Sequence, residues 1–520
     1  MNTIKRKVLM VYPEIPVTYW SFKYALPFIK RKAPFPPLGL LTIAGLMPDN
    51  YDIKLIDMNV TKLREKDIQN AELIFISAMI VQKESFQKVV KLCNKLKKPI
   101  VAGGPYPTSS YENITGVDYF VLNEGEITLQ RFIEDFEKGC AKKIYSDETK
   151  PDITFTPPPR YDLINVKKYV SAILQFSRGC PFNCDFCDVI EMFGRTPRAK
   201  NPWQFINELE TVYQSGFRGS VFIVDDNFIG NKVQVKKLLP EIAKWQKKRE
   251  YPFTFFTEAS VNLANEEELM DLMVEAGFDM VFLGIETPVQ ECLVEANKGQ
   301  NIKQDLLESI KIIQKKGMEV SGGFILGFDN DPKNIFDLQI NFIQKAGIPM
   351  AMVGLLNALP NTKLYKRLKS EGRIIKESSG NNTHDLQLNF IPKMDYKGLI
   401  EGYKKVLSAI YLPKNYFDRA WELLKNLPVK KVAYKPVKLK ELRALVMSLF
   451  RQALSSYGIY YSKFLLKVLI LKPKLFNEAV RIAIMGQHFF KITKEMVSIE
   501  NINMYIEEMT QKPAYDNLEC

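Results

Sequence analysis

Three cysteines within eight positions, Cys180, Cys184 and Cys187, form a C-x₃-C-x₂-C array in the stretch SRGCPFNCDFCDVIEMFGRTPRAK, Ser177 to Lys200. Thiolates are the preferred ligands of iron–sulfur clusters. Three ligands in one short loop hold three irons of a cubane and leave the fourth iron open to a small molecule. A structural zinc normally takes four Cys or His ligands. The chain has 2 histidines, His384 and His488, and neither is near the array in sequence. A disulfide framework belongs to a secretory context. The N-terminal apolar run in MNTIKRKVLMVYP is too short, and too soon broken by Pro13, for a signal peptide. Zinc and chance clustering are the competing readings of the array.

The strand YVSAILQFSRGC delivers Cys180 into this loop, and strand and helix patterns alternate after it. GSVFIVDDNF ends at Asp225, Asp226 and Asn227. FTFFTEAS ends at Glu258, MVFLGIET at Glu286, and GGFILGFD carries Gly323, before a last strand in MAMVGLLNALP. Six strands, each followed by a helix, are too few for a closed eight-stranded barrel and fit an open, partial (β/α)6 barrel. Barrel chemistry sits at the carboxyl ends of the strands, where these polar residues fall.

Ahead of the barrel, VLMVYP, YDIKLIDMN, ELIFISAMI, PIVAGGPYPT and GVDYFVLNEGE read as five strands separated by helical patterns. That alternation predicts a doubly wound parallel sheet. Ligands of such sheets sit outside the strands' carboxyl ends, here at Asp57, Asn59, Ser77, Gly103, Gly104, Gly125 and Glu126. No G-x-G-x-x-G opens the first helix, so a dinucleotide is poorly supported. DITFTPPPRYDLI carries three consecutive prolines and reads as a stiff spacer. The expected units are residues 1–150, a linker at 151–170, the barrel at 171–388, and an α-helical region at 389–520.

The cysteine array, with Phe186 just before the third cysteine, resembles the signature of the radical S-adenosylmethionine (SAM) superfamily. GRTPRAK, with Arg195, Arg198 and Lys200, is similar to a branch with an N-terminal cobalamin-binding domain and a helical C-terminus, which includes the hopanoid methylases. PPLGLLTIAG and AGGPYPT look like that cobalamin-binding domain, and the C-terminal helices look like that helical domain.

The resemblance implies a [4Fe-4S] cluster on Cys180, Cys184 and Cys187, with SAM on the open iron. Phe186, Asp225, Asp226, Asn227, Glu258, Glu286 and Gly323 are the expected SAM contacts. Asp225, Asp226 and Asn227 hold the place of the family's G-G-E, which meets the SAM amino group; Glu286 matches the ribose contact. Cobalamin is expected over the N-terminal sheet. The D-x-H-x-x-G motif is absent and residues 1–150 contain no histidine, so the lower face of cobalt is expected to lack one. A degenerate domain without the cofactor is the alternative. The implied activity is methyl transfer to an unactivated carbon of a lipid or other secondary metabolite, with a flavodoxin or ferredoxin as electron donor. Cyclisation, rearrangement and methylthiolation are rivals. Methylthiolation normally needs three more clustered cysteines, whereas Cys93, Cys140, Cys292 and Cys520 are dispersed. A cofactor-sensing module is the non-enzymatic rival.

The net charge of +13 is uneven: Lys393 to Lys494 holds 21 Lys/Arg against 6 Asp/Glu. Such a block marks nucleic acid, an anionic membrane surface or an acidic substrate, or is a solvated helical face. Nucleic acid is not favoured. No run of about 20 apolar residues exists, so no spanning helix is expected. The scattered cysteines point to the cytoplasm, with peripheral contact at the inner face of the membrane as an added expectation.

Overall fold

The computed structural model describes residues 5–428 and 439–498. Its first unit is a parallel sheet of six strands: β1 (Arg6–Tyr12), β2 (Tyr51–Asp57), β3 (Leu73–Ser77), β4 (Ile100–Gly103), β5 (Tyr119–Val121) and β6 (Ile144–Tyr145), in the order β2-β1-β3-β4-β5-β6. Both faces are covered. Leu9, Val11, Ile74 and Ile76 pack on one side, and Val8, Met10, Leu73 and Phe75 on the other. Burial on both faces is why these strands read as unbroken apolar runs. The helix Lys83–Lys95 buries Phe86, Val89, Val90 and Cys93, one stripe at helical spacing. The order reverses between β1 and β3, so the switch point lies between the ends of those strands, at Tyr12 and Ser77, with Gly103 and Gly104 one strand further on.

The second unit is built from β7 (Ala172–Leu174), a short antiparallel hairpin of β8 (Ser177–Arg178) and β9 (Arg198–Ala199), then β10 (Gly219–Ile223), β11 (Phe253–Ala259), β12 (Phe278–Glu286), β13 (Glu319–Leu326) and β14 (Ala351–Leu355). The main sheet runs β14-β13-β12-β11-β10-β7, all parallel. This is the expected six-stranded partial barrel. Along β11, Phe253, Phe255, Thr257 and Ala259 are buried towards the helices, while Thr254, Phe256 and Glu258 are half-buried on the inner face.

The helical region, with helices Tyr396–Ile410, Pro413–Asn426, Leu439–Ser448, Gly458–Leu471 and Phe476–Val497, continues the barrel's core. It covers the edge strand. Tyr411 donates its hydroxyl to the Ala351 carbonyl at 2.6 Å and Tyr403 to the Val353 carbonyl at 3.1 Å. Edge carbonyls of β14 that would otherwise lack partners are thereby satisfied.

The proline-rich segment is packed rather than free. The Tyr161 hydroxyl donates to the Ile173 carbonyl at 2.6 Å and accepts from the Ile173 N–H at 2.9 Å. The Arg160 N–H reaches the Leu41 carbonyl at 3.1 Å. A further tie runs from residues 18–29 to the last helix. The Tyr19 hydroxyl meets Thr493 Oγ1 at 2.8 Å, and His488 Nε2 meets the Tyr19 carbonyl at 2.9 Å.

Candidate active site at the carboxyl ends of the barrel strands

The cluster loop is held by backbone geometry on both flanks. Gly179 has φ +98°, and a Cβ there would stand 2.9 Å from the Gly194 carbonyl, so only glycine fits. Asp225, at the end of β10, accepts from the N–H groups of Phe176 at 2.7 Å and Ser177 at 2.8 Å, and from the Ser177 hydroxyl at 2.6 Å. Asp226 accepts from the Gly179 N–H at 2.7 Å. On the far side, the Asp185 N–H donates to the Ala296 carbonyl at 3.0 Å and Asn297 Nδ2 to the Asn183 carbonyl at 3.0 Å.

The three thiols carry no disulfide. Amide donors approach two of them: Asn227 Nδ2 lies 4.0 Å from Cys180 Sγ, and Gln300 Nε2 lies 3.6 Å from Cys184 Sγ. Lys298 is buried beside them. Burial alone would lower its ammonium, but Glu286 and the thiols of Cys184 and Cys187 hold it above its ordinary range. Among the described residues no three Cys, His, Asp or Glu side chains converge on one metal ion. Three thiols around a cubane each take a separate iron, and amide donors with a buried cation suit anionic sulfurs. The donor set therefore fits a cluster on Cys180, Cys184 and Cys187.

The acids predicted from the strand ends are brought together but not used alike. Burial pushes the Asp225 carboxyl up to about 7 and Asp226 up to about 6. The Glu258 carboxyl faces the inner side of β11 with no side-chain hydrogen bond or ion pair among the described residues; burial, then Asp226 and Asp225, push it up to about 7. Asp225 and Asp226 are taken up by the loop backbone, which leaves the Glu258 carboxyl as the acid of the three that can meet a cationic ligand. Glu286, at φ +65°, sits just past an irregularity in the β12–β13 register and is ion-paired to buried Lys298. Gly323 pairs in register with Gly284 beside the Phe282 ring. The Phe186 ring lies 5.7 Å from Lys298 Nζ.

In the first unit, Asp57 accepts from the Asn59 N–H at 2.9 Å and from the Tyr169 hydroxyl at 2.9 Å; Asn59 Oδ1 accepts from the Ile15 N–H at 2.8 Å. This pair knits the β1 and β2 loops to the segment entering the barrel. Asn59 also lines an open pocket of about 460 Å³ with Glu14, Lys32 and Lys62. After β4, Gly104 has φ +90°, and a Cβ there would lie 2.5 Å from Ser77 Oγ. Gly103 ends β4 and Gly125 opens the helix Gly125–Glu137. Gly103 and Gly104 are glycine because the chain itself leaves no room for a side chain there: a Cβ on Gly103 would stand 2.8 Å from the Val121 carbonyl. His488 is fully buried with both ring nitrogens engaged, Nε2 at the Tyr19 carbonyl and Nδ1 accepting from the Tyr24 N–H at 3.5 Å.

Sequence reasoning named Glu126 as a cobalamin contact and Arg198 within GRTPRAK, but missed Arg178 and Glu124 and the joint that all four make between the two units. Arg178, two positions before Cys180, donates to Glu124 and Glu126 at 2.7 and 2.8 Å. Arg198 donates to Glu124 at 2.7 Å. Burial opposes the Glu126 carboxylate, but Arg178 overrides it and holds it below the usual range. Across the same divide, Lys83 and Asn113 both reach Glu377, at 2.5 and 2.7 Å, and a Cβ on Gly380 would strike Ile80. The inner barrel face is aromatic. Phe222 and Phe256 stack at 4.6 Å, Phe35 of the first unit lies 5.4 Å from Phe222, and Trp20 lies 5.1 Å from Phe282. The strands that carry Phe222, Phe256 and Phe282 were legible in the sequence. The arrival of Trp20 and Phe35 from the β1 loop was not.

The remaining described cysteines stand apart: Cys93 and Cys292 are buried and Cys140 is exposed. Cys520 lies outside the described residues.

Comparison with known proteins gives a consistent picture. The sequence matches the Radical SAM superfamily over residues 174–338, the B12 binding domain over residues 26–133, and a Domain of unknown function (DUF4070) over residues 362–501. It is 40% identical over 520 residues to an uncharacterized methyltransferase of Synechocystis sp., covering 99% of this chain and 96% of that protein. It is 32% identical over 419 residues to the hopanoid C-2 methylase of Rhodopseudomonas palustris, covering 80% of this chain and 78% of that protein. The fold is similar to that of the cobalamin-dependent SAM radical enzyme OxsB with aqua-cobalamin bound. There the TM-score is 0.62 at 16% identity, over 97% of this chain and 82% of that one.

Proposed function

Since the chain belongs to the family of radical SAM enzymes with an N-terminal cobalamin-binding domain, alongside the hopanoid C-2 methylase, we propose that it transfers a methyl group to an unactivated carbon of an apolar, lipid-like substrate. The observation that carries this reading is the contact between the units. Arg178 leads directly into the cluster loop and is ion-paired to Glu124 and Glu126 of the cobalamin-type unit. Each cofactor's carrier is thereby fixed relative to the other, as a reaction using both requires.

When bound, the cluster with SAM supplies one-electron chemistry and cobalamin supplies a methyl carrier, which no side chain can do at an unactivated C–H. The chain does the rest. Cys180, Cys184 and Cys187 would hold the cluster and leave one iron open. Asp225 and Asp226 fix the loop's backbone, and Glu258 offers a negative charge to the SAM cation. Lys298 neutralises Glu286 and keeps positive charge beside the sulfurs. Ser77, Gly103 and Gly104, at the carboxyl ends of the first sheet, are the residues that would meet cobalamin there. Phe222, Phe256 and Phe282, roofed by Phe35 and Trp20, exclude water and receive apolar surface. The His488 ring is already engaged at Tyr19 and Tyr24 and would not serve as a ligand to the cofactor.

The test is chemical. A strain lacking this gene and its parent are grown on methionine labelled in its methyl group, and their lipid extracts are compared by mass spectrometry. The expected result is an apolar compound with one labelled methyl in the parent that appears without that methyl in the deletion strain. A difference confined to water-soluble compounds would refute the lipid-like substrate. No difference in any methylated compound would refute methyl transfer.

A further inference from the structure

Of the 21 large apolar side chains exposed among the described residues, 11 lie between Leu442 and Leu471. Phe450 is 71% exposed, Leu454 82%, Leu466 58% and Ile470 67%. The helix Gly458–Leu471 buries Tyr461, Phe464, Leu465 and Val468 on one face, yet its opposite face carries Ile459, Leu466 and Ile470 beside Lys463 and Lys467. A helix apolar on both faces needs cover on both. Scattered exposed apolar residues need no explanation, but so dense a group along one stretch of chain marks an interaction site.

Charge identifies the occupant. From Leu442 to Leu475 there is no Asp or Glu, against six basic residues: Arg443, Arg451, Lys463, Lys467, Lys472 and Lys474. The basic stretch continues backwards in sequence, so that Lys430 to Lys474 holds 11 Lys/Arg against the single acid Glu441. A second copy of the same face would set positive charge against positive charge. Residues 499–520 of this chain carry 5 acids and 1 lysine, which leaves more than half of that excess unmatched. An extended anionic surface matches both the charge and the apolar side chains. No helix among the described residues is long and apolar enough to cross a membrane, so the contact is one of lying on the surface.

We propose that the surface of residues 442–448, the π-helical segment Leu449–Ala453 and the helix Gly458–Leu471 docks on the anionic headgroup layer of a lipid bilayer. The apolar side chains enter the acyl boundary and the lysines meet the phosphates. Binding needs neither SAM nor substrate, so it stands or falls separately from the methyl-transfer reading.

The experiment is flotation of the full-length, cluster-loaded protein with vesicles of phosphatidylcholine plus phosphatidylglycerol, and with vesicles of phosphatidylcholine alone. The expected result is flotation with the anionic vesicles only, weakened by salt. It should fall about tenfold or more in Leu466→Glu/Ile470→Glu and in Lys463→Glu/Lys474→Glu. Both pairs point outward, and iron content with far-ultraviolet circular dichroism checks that each variant is folded. If the apolar pair fails to fold, the lysine pair carries the test. Equal flotation of folded variants and wild type overturns the proposal, as does failure of the full-length protein to float. Flotation only after removal of residues 499–520 assigns the face to that segment instead. A dimer in sedimentation that Leu466→Glu/Ile470→Glu dissociates, without flotation, assigns it to a second copy.

Discussion

Lys298 carries its charge inside the protein, 7% exposed, between Glu286 and the cluster cysteines. Removing one member of a buried pair leaves the other charge uncompensated, at a cost of about 3–5 kcal/mol. Lys298→Met should therefore lower the unfolding free energy in urea by about that amount, and Glu286→Gln/Lys298→Met should recover most of it. Additive losses would mean that the two side chains do not act as a pair. Glu258 gives a pH signature. A carboxyl raised from 4.5 to about 7 binds more protons folded than unfolded between those values. It therefore withdraws stability as pH rises through that window. The unfolding free energy should fall more from pH 5 to pH 8 in the wild type than in Glu258→Gln; parallel profiles would deny the shift. Glu258 and Glu286 were legible because apolar strand patterns end on them. Lys298 was not, since nothing in ANKGQ marks a lysine that folds inward.

At the scale of elements, the cluster loop depends on backbone shape as much as on its sulfurs. Gly179→Ala would force a side chain into φ +98° and against the Gly194 carbonyl. Strain of this kind costs about 1–3 kcal/mol and falls on the loop alone. The variant should keep the circular dichroism of the wild type and lose most of its reconstituted iron, measured as iron per protein; full iron loading would show that the loop tolerates the change. The strands were readable because parallel strands buried on both faces are continuous apolar runs. β6 has only two residues and escapes any periodicity. The prolines of residues 151–170 signal stiffness, but packing of that segment depends on Tyr161 and Arg160 finding partners at Ile173 and Leu41. Composition does not encode such partners.

At the scale of the molecule, three units appear in the sequence but their joints do not. Tyr19 and His488 meet across 469 positions, and Arg178 meets Glu124 across 54. Contacts so distant leave no local pattern; each looks like an ordinary residue in an ordinary loop or helix. These joints place the cobalamin-type unit against the cluster loop and bring Trp20 and Phe35 over the barrel's inner face, which is why the account couples the two cofactors in one reaction. The most direct test uses reduced, cluster-loaded protein with SAM, with and without added hydroxocobalamin, and quantifies 5′-deoxyadenosine and S-adenosylhomocysteine. 5′-Deoxyadenosine is expected under both conditions, and S-adenosylhomocysteine only when cobalamin is bound. Absence of 5′-deoxyadenosine in both, or absence of S-adenosylhomocysteine from protein that has taken up cobalamin, would contradict a reaction that uses both cofactors.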